Sequence, residues 1–216
     1  MTPSGLHLIG LCVTHNGTEI AALTAQVAPG QVLVVMGPSG SGKSTLLSAI
    51  IGNPPAGFSV TGQIVVNGRD VTHLPTAQRR IGILFQDDVL FPHLSVAQNI
   101  GFGLHWPSGT RAQRRALIDD ALTDAGLAGF GNRDPDTLSG GQRARVALLR
   151  TLLAKPEALL LDEPFARLDL ALRDQIRQFV LNRARAENLP IILVTHDPKD
   201  AAAAGGRIMS LGRAAQ

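Results

Sequence analysis

The sequence is poor in residues that form covalent cross-links or metal sites. Its 216 residues include a single cysteine, Cys12, so an internal disulfide is excluded. A chain without disulfides is typical of a reducing compartment, and the sequence therefore predicts a cytosolic protein. The histidines other than His196 are scattered and do not show the spacing of metal ligands.

The sequence also lacks long apolar runs and blocks of like charge. Apolar runs such as residues 32–36 and 158–161 are far shorter than the roughly 20 residues that a membrane-spanning helix needs. The N-terminus shows no signal-peptide pattern, so we expect any membrane-spanning partner to be another chain. A net charge of +3 without a charge block does not by itself indicate nucleic-acid binding. An apolar fraction of 44% predicts a globular chain with a sizeable core.

Strand-like and helix-like segments alternate at both ends of the chain, whereas residues from about 95 to 156 have a mostly helical pattern. This order predicts an α/β fold with a mixed sheet, an N-terminal antiparallel β subdomain and an inserted helical lobe. We predict one domain, residues 1–216, with the core at about 1–90 and 157–216 and the lobe at about 91–156. The predicted strands are 6–13, 20–27, 32–36, 63–66, 81–85, 158–161, 191–195 and 208–211. The predicted helices are 43–51, 95–104, 112–125, 142–154 and 168–185.

A glycine-rich loop, GPSGSGKST, lies between the apolar strand at 32–36 and a helix-like segment. It fits the pattern G-x-x-x-x-G-K-[ST], whose glycines let backbone N–H groups wrap around phosphates. Lys43 is predicted to reach the β- and γ-phosphates of a nucleotide, and the Ser44 hydroxyl is predicted to hold Mg²⁺. A glycine-rich turn without a ligand is the alternative. The predicted nucleotide-binding residues of this loop are Gly37, Pro38, Ser39, Gly40, Ser41, Gly42, Lys43, Ser44 and Thr45.

Two acidic residues, Asp162 and Glu163, end the apolar strand at 158–161. Ligands of open α/β sheets bind at the carboxyl edge of the strands. We therefore predict that Asp162 holds Mg²⁺ and that Glu163 polarises the water that attacks the γ-phosphate. Two surface acids without a catalytic role are the alternative, which the glycine-rich loop disfavours.

A second glycine pair begins another helix-like segment, in the stretch LSGGQ at residues 138–142. Gly140 and Gly141 at a helix start form an anion site, with Ser139 as an extra donor. Together with the phosphate loop, LLLDEP at 159–164 and VTHD at 194–197, this stretch resembles the ATP-binding subunits of ABC transporters. The resemblance covers nearly the whole chain. It implies a P-loop ATPase that binds ATP and Mg²⁺ and couples hydrolysis to transport.

The resemblance also implies a homodimer with two nucleotides between the subunits. Ser139, Gly140, Gly141 and Gln142 of one chain are then expected to face the γ-phosphate of an ATP held by the other chain. Asp169 is expected to connect the two sites. Arg167 stands where importers often have another residue, and the sequence assigns it no role.

Three further roles follow from the resemblance. Gln86 is expected to contact Mg²⁺ or the attacking water and to relay the nucleotide state to a membrane partner. His196 is expected to contact the γ-phosphate. The family usually has an aromatic residue that stacks on adenine, and this chain contains no tyrosine. His15 is the expected substitute.

Residues 74–100 resemble bacterial importer cassettes of the polyamine, iron, sulfate and thiamine kind. The segment LFPHLSV at 90–96 is expected to lie in the lobe that receives a permease helix, and ordinary lobe packing is the alternative. The expected partners are membrane-spanning permease subunits and, indirectly, an extracytoplasmic solute-binding protein. We expect the chain at the cytoplasmic face of the inner membrane, without an added C-terminal regulatory domain.

Two other functions remain to be weighed. A soluble ABC ATPase that acts on nucleic acid or ribosomes would use a basic face, for which the arginines at 111, 114, 115, 143, 145 and 150 are candidates. Solvated helix faces are the simpler explanation, and no nucleic-acid partner is expected. A metabolic P-loop kinase would not need LSGGQ.

Overall fold

A computed structural model describes residues 4–86, 89–104, 110–166 and 170–211. The strands are β1 (Leu6–His15), β2 (Thr18–Val27), β3 (Val32–Met36), β4 (Phe58–Val66), β5 (Arg69–Asp70), β6 (Ile81–Leu84), β7 (Ala158–Asp162), β8 (Ile191–Thr195) and β9 (Arg207–Ser210). The helices are α1 (Lys43–Ile51), α2 (Thr76–Arg79), α3 (Val96–Gly103), α4 (Arg111–Asp124), α5 (Gly140–Leu153), α6 (Leu170–Ala186) and α7 (Pro198–Ala204). The chain divides into two compact units: residues 1–83, 157–163 and 184–216 form the first, and residues 84–156 and 164–183 form the second.

The N-terminal strands form an antiparallel sheet with the order β2-β1-β4-β5. Asn16-Gly17 joins β1 to β2, and Asn67-Gly68 joins β4 to β5. All four residues have positive φ angles of 47–78°. Two successive positive φ angles are the requirement of a tight hairpin turn, which explains the Asn-Gly pairs at both places.

The other sheet has the order β6-β7-β8-β3-β9, and β3 pairs in parallel with both β8 and β9. Every residue of β7 and β8 is buried, as expected for strands that are covered on both faces. In the register, Met36 lies opposite Thr195, and Asp162 lies opposite Val194. The carboxyl ends of β3, β7 and β8 therefore meet at one edge of the sheet.

The second unit has a helical core formed by α3, α4 and α5. Its buried side chains include Val96, Ile100, Leu122, Val146 and Leu149. Among the described residues, no helix combines the length and apolar character that crossing a membrane requires.

The predicted fold class, an α/β chain with an antiparallel N-terminal sheet, is confirmed, and the antiparallel and parallel strands lie in separate sheets. Strand β4 begins at Phe58 rather than residue 63, because β1 is long enough to pair with the added residues. Helices α2 and α7 were not predicted. Their short sequences carry too little periodicity to be recognised.

Cys12 lies in β1, where alternate residues face opposite sides. Its side chain is half-buried, and its Sγ atom donates to Glu19 Oε2 at 3.5 Å. Burial is the largest cause that raises the pKa of the Cys12 thiol, and the hydrogen bond to Glu19 and the charge of its carboxylate raise it further. Leu11 and Val13, its neighbours in the sequence, face the core instead.

Candidate functional site

The glycine-rich loop connects β3 to α1 in the first unit. Gly40 and Gly42 have φ angles of 81° and 82°, which favour glycine. A Cβ atom at Gly42 would lie 2.8 Å from the Ile20 carbonyl oxygen, and one at Gly37 would lie 2.8 Å from that of Leu211. These glycines are therefore required by the local backbone conformation and by close neighbours, and they leave the N-terminus of α1 open to a ligand.

Lys43 is the first residue of α1, and its side chain is 5% exposed. Its Nζ atom donates to the carbonyl oxygens of Gly37 and Pro38, both at 2.9 Å. Glu163 Oε1 lies 3.5 Å from the same atom. The ammonium group thus lies over the loop that the sequence predicts to bind phosphates.

Ser44 and Asp162 bring two oxygen atoms together beside the loop. The Ser44 hydroxyl donates to Asp162 Oδ1 at 3.1 Å. Burial raises the pKa of Asp162, and the Glu163 carboxylate adds to this, while the hydrogen bond from Ser44 and the charge of Lys43 act in the opposite direction. A hydroxyl and a buried carboxylate are hard oxygen ligands of the kind that Mg²⁺ uses, so the donor set fits this ion.

Glu163 follows β7 with a φ angle of 45°, which is unusual for a residue other than glycine. Its N–H group donates to the Val194 carbonyl oxygen at 3.0 Å, which holds the residue against β8. Its Oε2 atom lies 3.0 Å from His196 Nδ1. One carboxylate therefore contacts both Lys43 and His196.

The protonation of His196 is constrained by this contact. A neutral imidazole that donates from Nδ1 to Glu163 has only an acceptor at Nε2. Donation to a γ-phosphate as well would require the other tautomer or the charged ring. His196 is half-exposed, so either rearrangement has space.

His15, the expected adenine-stacking residue, ends β1 and stacks on Phe58 at the start of β4. The two ring centroids are 4.5 Å apart, and the planes differ by 24°. The sequence reasoning did not include Phe58. The strand register would have identified Phe58, because antiparallel pairing of β1 with β4 places residue 58 opposite residue 15.

The signature residues lie in the second unit, where Ser139 caps α5. The Ser139 side chain accepts a hydrogen bond from the Gln142 N–H at 3.4 Å, and Gln142 Oε1 accepts one from the Ser139 N–H at 3.0 Å. This capping box gives partners to the backbone N–H groups of Ser139 and Gln142. The N–H groups of Gly140 and Gly141, at the helix start, are not part of it. The predicted anion site therefore has a well-defined helix N-terminus.

Gln86 also belongs to the second unit and is exposed at a bend after β6. The first unit thus brings together Lys43, Ser44, Asp162, Glu163 and His196 but not Gln86. Asp169, which is predicted to connect the two sites, and Arg167, to which the sequence assigns no role, lie outside the described residues.

Most arginines of the proposed basic face have partners within the second unit. Arg114 donates to Gly101, and Arg115 pairs with Asp119. The guanidinium carbon of Arg150 lies 5.4 Å from the centroid of the Phe91 ring. Two more donate to backbone carbonyls of the same unit: Arg143 to Leu138 and Arg145 to Ala125. These contacts explain the arginines through packing of the helical unit.

Buried Asn99 on α3 was also missed. Its Oδ1 atom accepts from the Phe91 N–H at 2.8 Å, and its Nδ2 atom donates to the carbonyl oxygens of Phe91, Leu94 and Ser95 at 3.0–3.1 Å. The segment LFPHLSV is therefore held by one amide group. A buried asparagine within an apolar helix pattern is the signal that could have identified it.

Comparison with known families decides the class of this site. The family model described as ABC transporter matches residues 20–166, which is more than half of the chain. The chain belongs to the ABC transporter family. The predicted function class, an ATP-binding and ATP-hydrolysing subunit of an ABC transporter, is thereby confirmed, together with the family resemblance.

Curated relatives include transporter subunits of different length. The chain is 55% identical over 174 residues to the uncharacterized ABC transporter ATP-binding protein YnjD of Escherichia coli, covering 81% of this chain and 80% of YnjD. It is 42% identical over 184 residues to the sulfate/thiosulfate import ATP-binding protein CysA of Synechocystis, covering 85% of this chain but only 51% of CysA. It is 38% identical over 213 residues to the thiamine import ATP-binding protein ThiQ of Rhizobium meliloti, covering 99% and 88%. The chain thus spans about half the length of the sulfate importer subunit.

Proposed function

We propose that the first unit binds ATP with Mg²⁺ on residues 37–45 and that Glu163 acts as the general base of hydrolysis. The observation that carries the proposal is the convergence of Lys43, Asp162, Glu163 and His196 on one loop and one sheet edge. The ammonium group of Lys43 would move from loop carbonyls and Glu163 to the β- and γ-phosphates. Glu163, released from Lys43, would then hold the attacking water.

Ser44 and Asp162 are the proposed Mg²⁺ ligands in the first unit, and Gln86 is a further candidate. The ion, when bound, would neutralise charge on the β- and γ-phosphate oxygens. His196 is proposed to move from Glu163 toward the γ-phosphate, which requires the change of tautomer or charge described above. His15, backed by Phe58, would stack on the base.

The test of the hydrolytic site compares two variants. Lys43→Ala is expected to lower both ATP binding and hydrolysis, because it removes the charge that holds the phosphates. Glu163→Gln is expected to lower the hydrolysis rate by at least about a hundredfold while ATP binding is retained, as loss of a general base should. Steady-state phosphate release and calorimetric binding measure the two effects. Normal turnover of Glu163→Gln would exclude it as the base.

We further propose that two copies of the chain bind two ATP molecules between them, with residues 139–142 of one copy facing the γ-phosphate on the other. The N-terminus of α5 supports this, since its free N–H groups and dipole suit an anion. Gly140 and Gly141 are the first two residues of α5, so their N–H groups are the ones proposed to face the γ-phosphate.

Permease subunits of the membrane are the proposed partners of the second unit, with an extracytoplasmic solute-binding protein acting through them. The names of the sulfate and thiamine import relatives support an importer. A cleft of about 660 Å³ between α3 and α4 is lined by apolar and basic side chains, including Phe102, Arg111 and Ile118. Phe102 is 70% exposed, which suits an apolar contact with a permease helix. This arrangement would place the chain at the cytoplasmic face of the inner membrane.

The permease proposal is tested by purification of the tagged chain from detergent-solubilised membranes of its source, followed by mass spectrometry. A polytopic membrane protein is expected with the wild type and is expected to be reduced with Phe102→Ser. Ile208→Ser is the matched control, because Ile208 is an exposed apolar residue of the first unit. Recovery of ribosomal proteins or RNA instead would favour the soluble ABC ATPase.

A further inference from the structure

Arg79 is a buried arginine whose guanidinium group contacts backbone carbonyl oxygens. The residue is 6% exposed. Its Nη1 atom donates to Ala49 at 3.2 Å and to Ile50 at 2.9 Å, both at the C-terminal end of α1. Its Nε and Nη2 atoms donate to Leu74 at 2.8 Å and to Thr72 at 2.6 Å. One side chain thus joins the end of α1 to the segment that precedes β6.

Two of these bonds reach carbonyl groups in the last turn of α1: Ile50 accepts from Arg79, and Ala49 accepts both from Arg79 and from the Gly52 N–H at 3.0 Å. The last carbonyl groups of a helix have no partner within the helix and carry the negative end of its dipole. The guanidinium group of Arg79 supplies several donors for these carbonyl groups and a positive charge for the negative end of the dipole. A lysine would supply only a point charge. Within the described part of the chain, no carboxylate forms an ion pair with Arg79, and burial lowers its pKa. The position therefore has a desolvation cost that a surface arginine would not have.

Gly52 leaves the space in which the guanidinium group lies. It follows α1 with a φ angle of 81°, and a Cβ atom there would lie 2.4 Å from Arg79 Nε and 2.5 Å from the guanidinium carbon. An alanine at this position would displace Arg79. Gly52 is thus a second place at which the contact can be broken while the arginine is retained.

The opposite end of α1 carries the phosphate-binding residues, since Lys43 and Ser44 are its first two residues. A helix of nine residues is about 13 Å long and moves as a rigid body over that length. Its side is packed in the core by Leu46, Leu47 and Ile50, which are fully buried. The contacts at the two ends of α1 then determine its position along its own axis and its tilt.

We infer that Arg79 is a positioning residue for phosphate binding, which clamps the C-terminal end of α1 and thereby holds Lys43 and Ser44 in place. The inference rests on the proposed function, because it takes residues 37–45 as the phosphate site. Arg79 contributes to nucleotide binding without touching the nucleotide. A purely structural arginine would support the fold alone.

The test measures the dissociation constants of ADP and of pyrophosphate, neither of which requires hydrolysis. Arg79→Met and Gly52→Ala are each expected to raise both constants about tenfold, because a small displacement of the binding groups weakens every phosphate contact. Arg79→Lys keeps the charge without the fork of donors, and an increase of about threefold is expected. Calorimetry is performed at a temperature at which circular dichroism shows the folded chain.

The matched control is Val66→Ala, a buried substitution in β4 at a residue that is not among the hydrogen-bond acceptors of Arg79. It is expected to lower the urea midpoint while ADP binds as in the wild type. Unchanged ADP binding in folded Gly52→Ala and Arg79→Lys would overturn the inference, even if Arg79→Met does not fold. A wild-type chain that fails to bind ADP would instead overturn the proposed function.

Discussion

At the scale of single residues, His15 and Phe58 form a stacked pair of rings at the proposed base-binding position. Phe58 covers one face of His15. His15 has no other ring contact among the described residues, and its side chain is only partly buried. Aromatic stacking contributes about 0.5–1.5 kcal/mol, so the pair is expected to support the base without dominating nucleotide affinity.

We therefore predict that Phe58→Leu weakens ATP binding by about two- to fivefold, because the leucine retains bulk but not the stacked ring. His15→Ala should weaken it by about threefold to tenfold. Displacement of a fluorescent ATP analogue gives both constants, and pyrophosphate affinity is the internal control that neither change should alter. Normal ATP affinity in His15→Ala would leave the base without the predicted stacking residue.

The residues proposed to bind phosphate are predictable from the sequence, whereas residues that fix distant segments through backbone or ring contacts are not. Lys43 and Ser44 occur in a fixed pattern because the geometry of a phosphate group is always the same. Arg79 and Asn99 contact backbone atoms of segments distant in the sequence, and no local pattern encodes such contacts. Phe58 becomes visible only when the register of β1 and β4 is known.

At the scale of elements, α3 and α5 begin with the same type of N-terminal cap. Ser95 and Gln98 form a capping box at the start of α3, as Ser139 and Gln142 do at the start of α5. A serine cap contributes about 1 kcal/mol to stability in either place. The two serines share this cap, and Ser139 alone has the proposed contact with the ATP of a second copy.

This likeness provides a matched pair of variants. Ser95→Ala and Ser139→Ala should each lower the free energy of unfolding by about 1 kcal/mol, measured in urea. In the Glu163→Gln background with ATP, light scattering should detect a dimer that Ser139→Glu prevents by charge repulsion with the γ-phosphate, and Ser95→Glu should leave it intact. A dimer that persists in Ser139→Glu would contradict the proposed arrangement of the two copies.

Elements were predictable where Gly, Pro or a regular apolar pattern marks their limits. Strand β3 and helix α1 were predicted with the observed bounds because the glycine loop separates them and Gly52 ends the helix. Helices α2 and α7 have four and seven residues, and short helices of this kind depend on tertiary contacts rather than on their own sequence. The order of the strands within each sheet is likewise a property of the folded chain.

At the scale of the whole molecule, Asp162 links the nucleotide site to global stability. Because burial raises its pKa in the folded state, folding favours the protonated carboxyl group. Below the unfolded value of 3.8 the group is protonated in both states and has no effect. As the pH rises from 3.8 toward the folded pKa, the carboxyl group ionises in the unfolded chain but stays protonated in the folded chain, so the free energy of unfolding falls, and this loss is complete above the folded pKa. The ligand-free chain is therefore less stable at neutral pH than it would be with a neutral residue there.

We predict that Asp162→Asn raises the urea midpoint of the ligand-free chain at pH 7, because it keeps an acceptor for Ser44 without the charge. The gain should shrink as the pH approaches the unfolded value. Addition of ATP with Mg²⁺ should reverse the order, since bound ligand stabilises only the chain that can hold it. Asp119→Asn, an exposed control, should change stability by less than about 1 kcal/mol. A lower midpoint of Asp162→Asn at pH 7 would show that the carboxylate is stabilised in the empty site and would contradict the prediction.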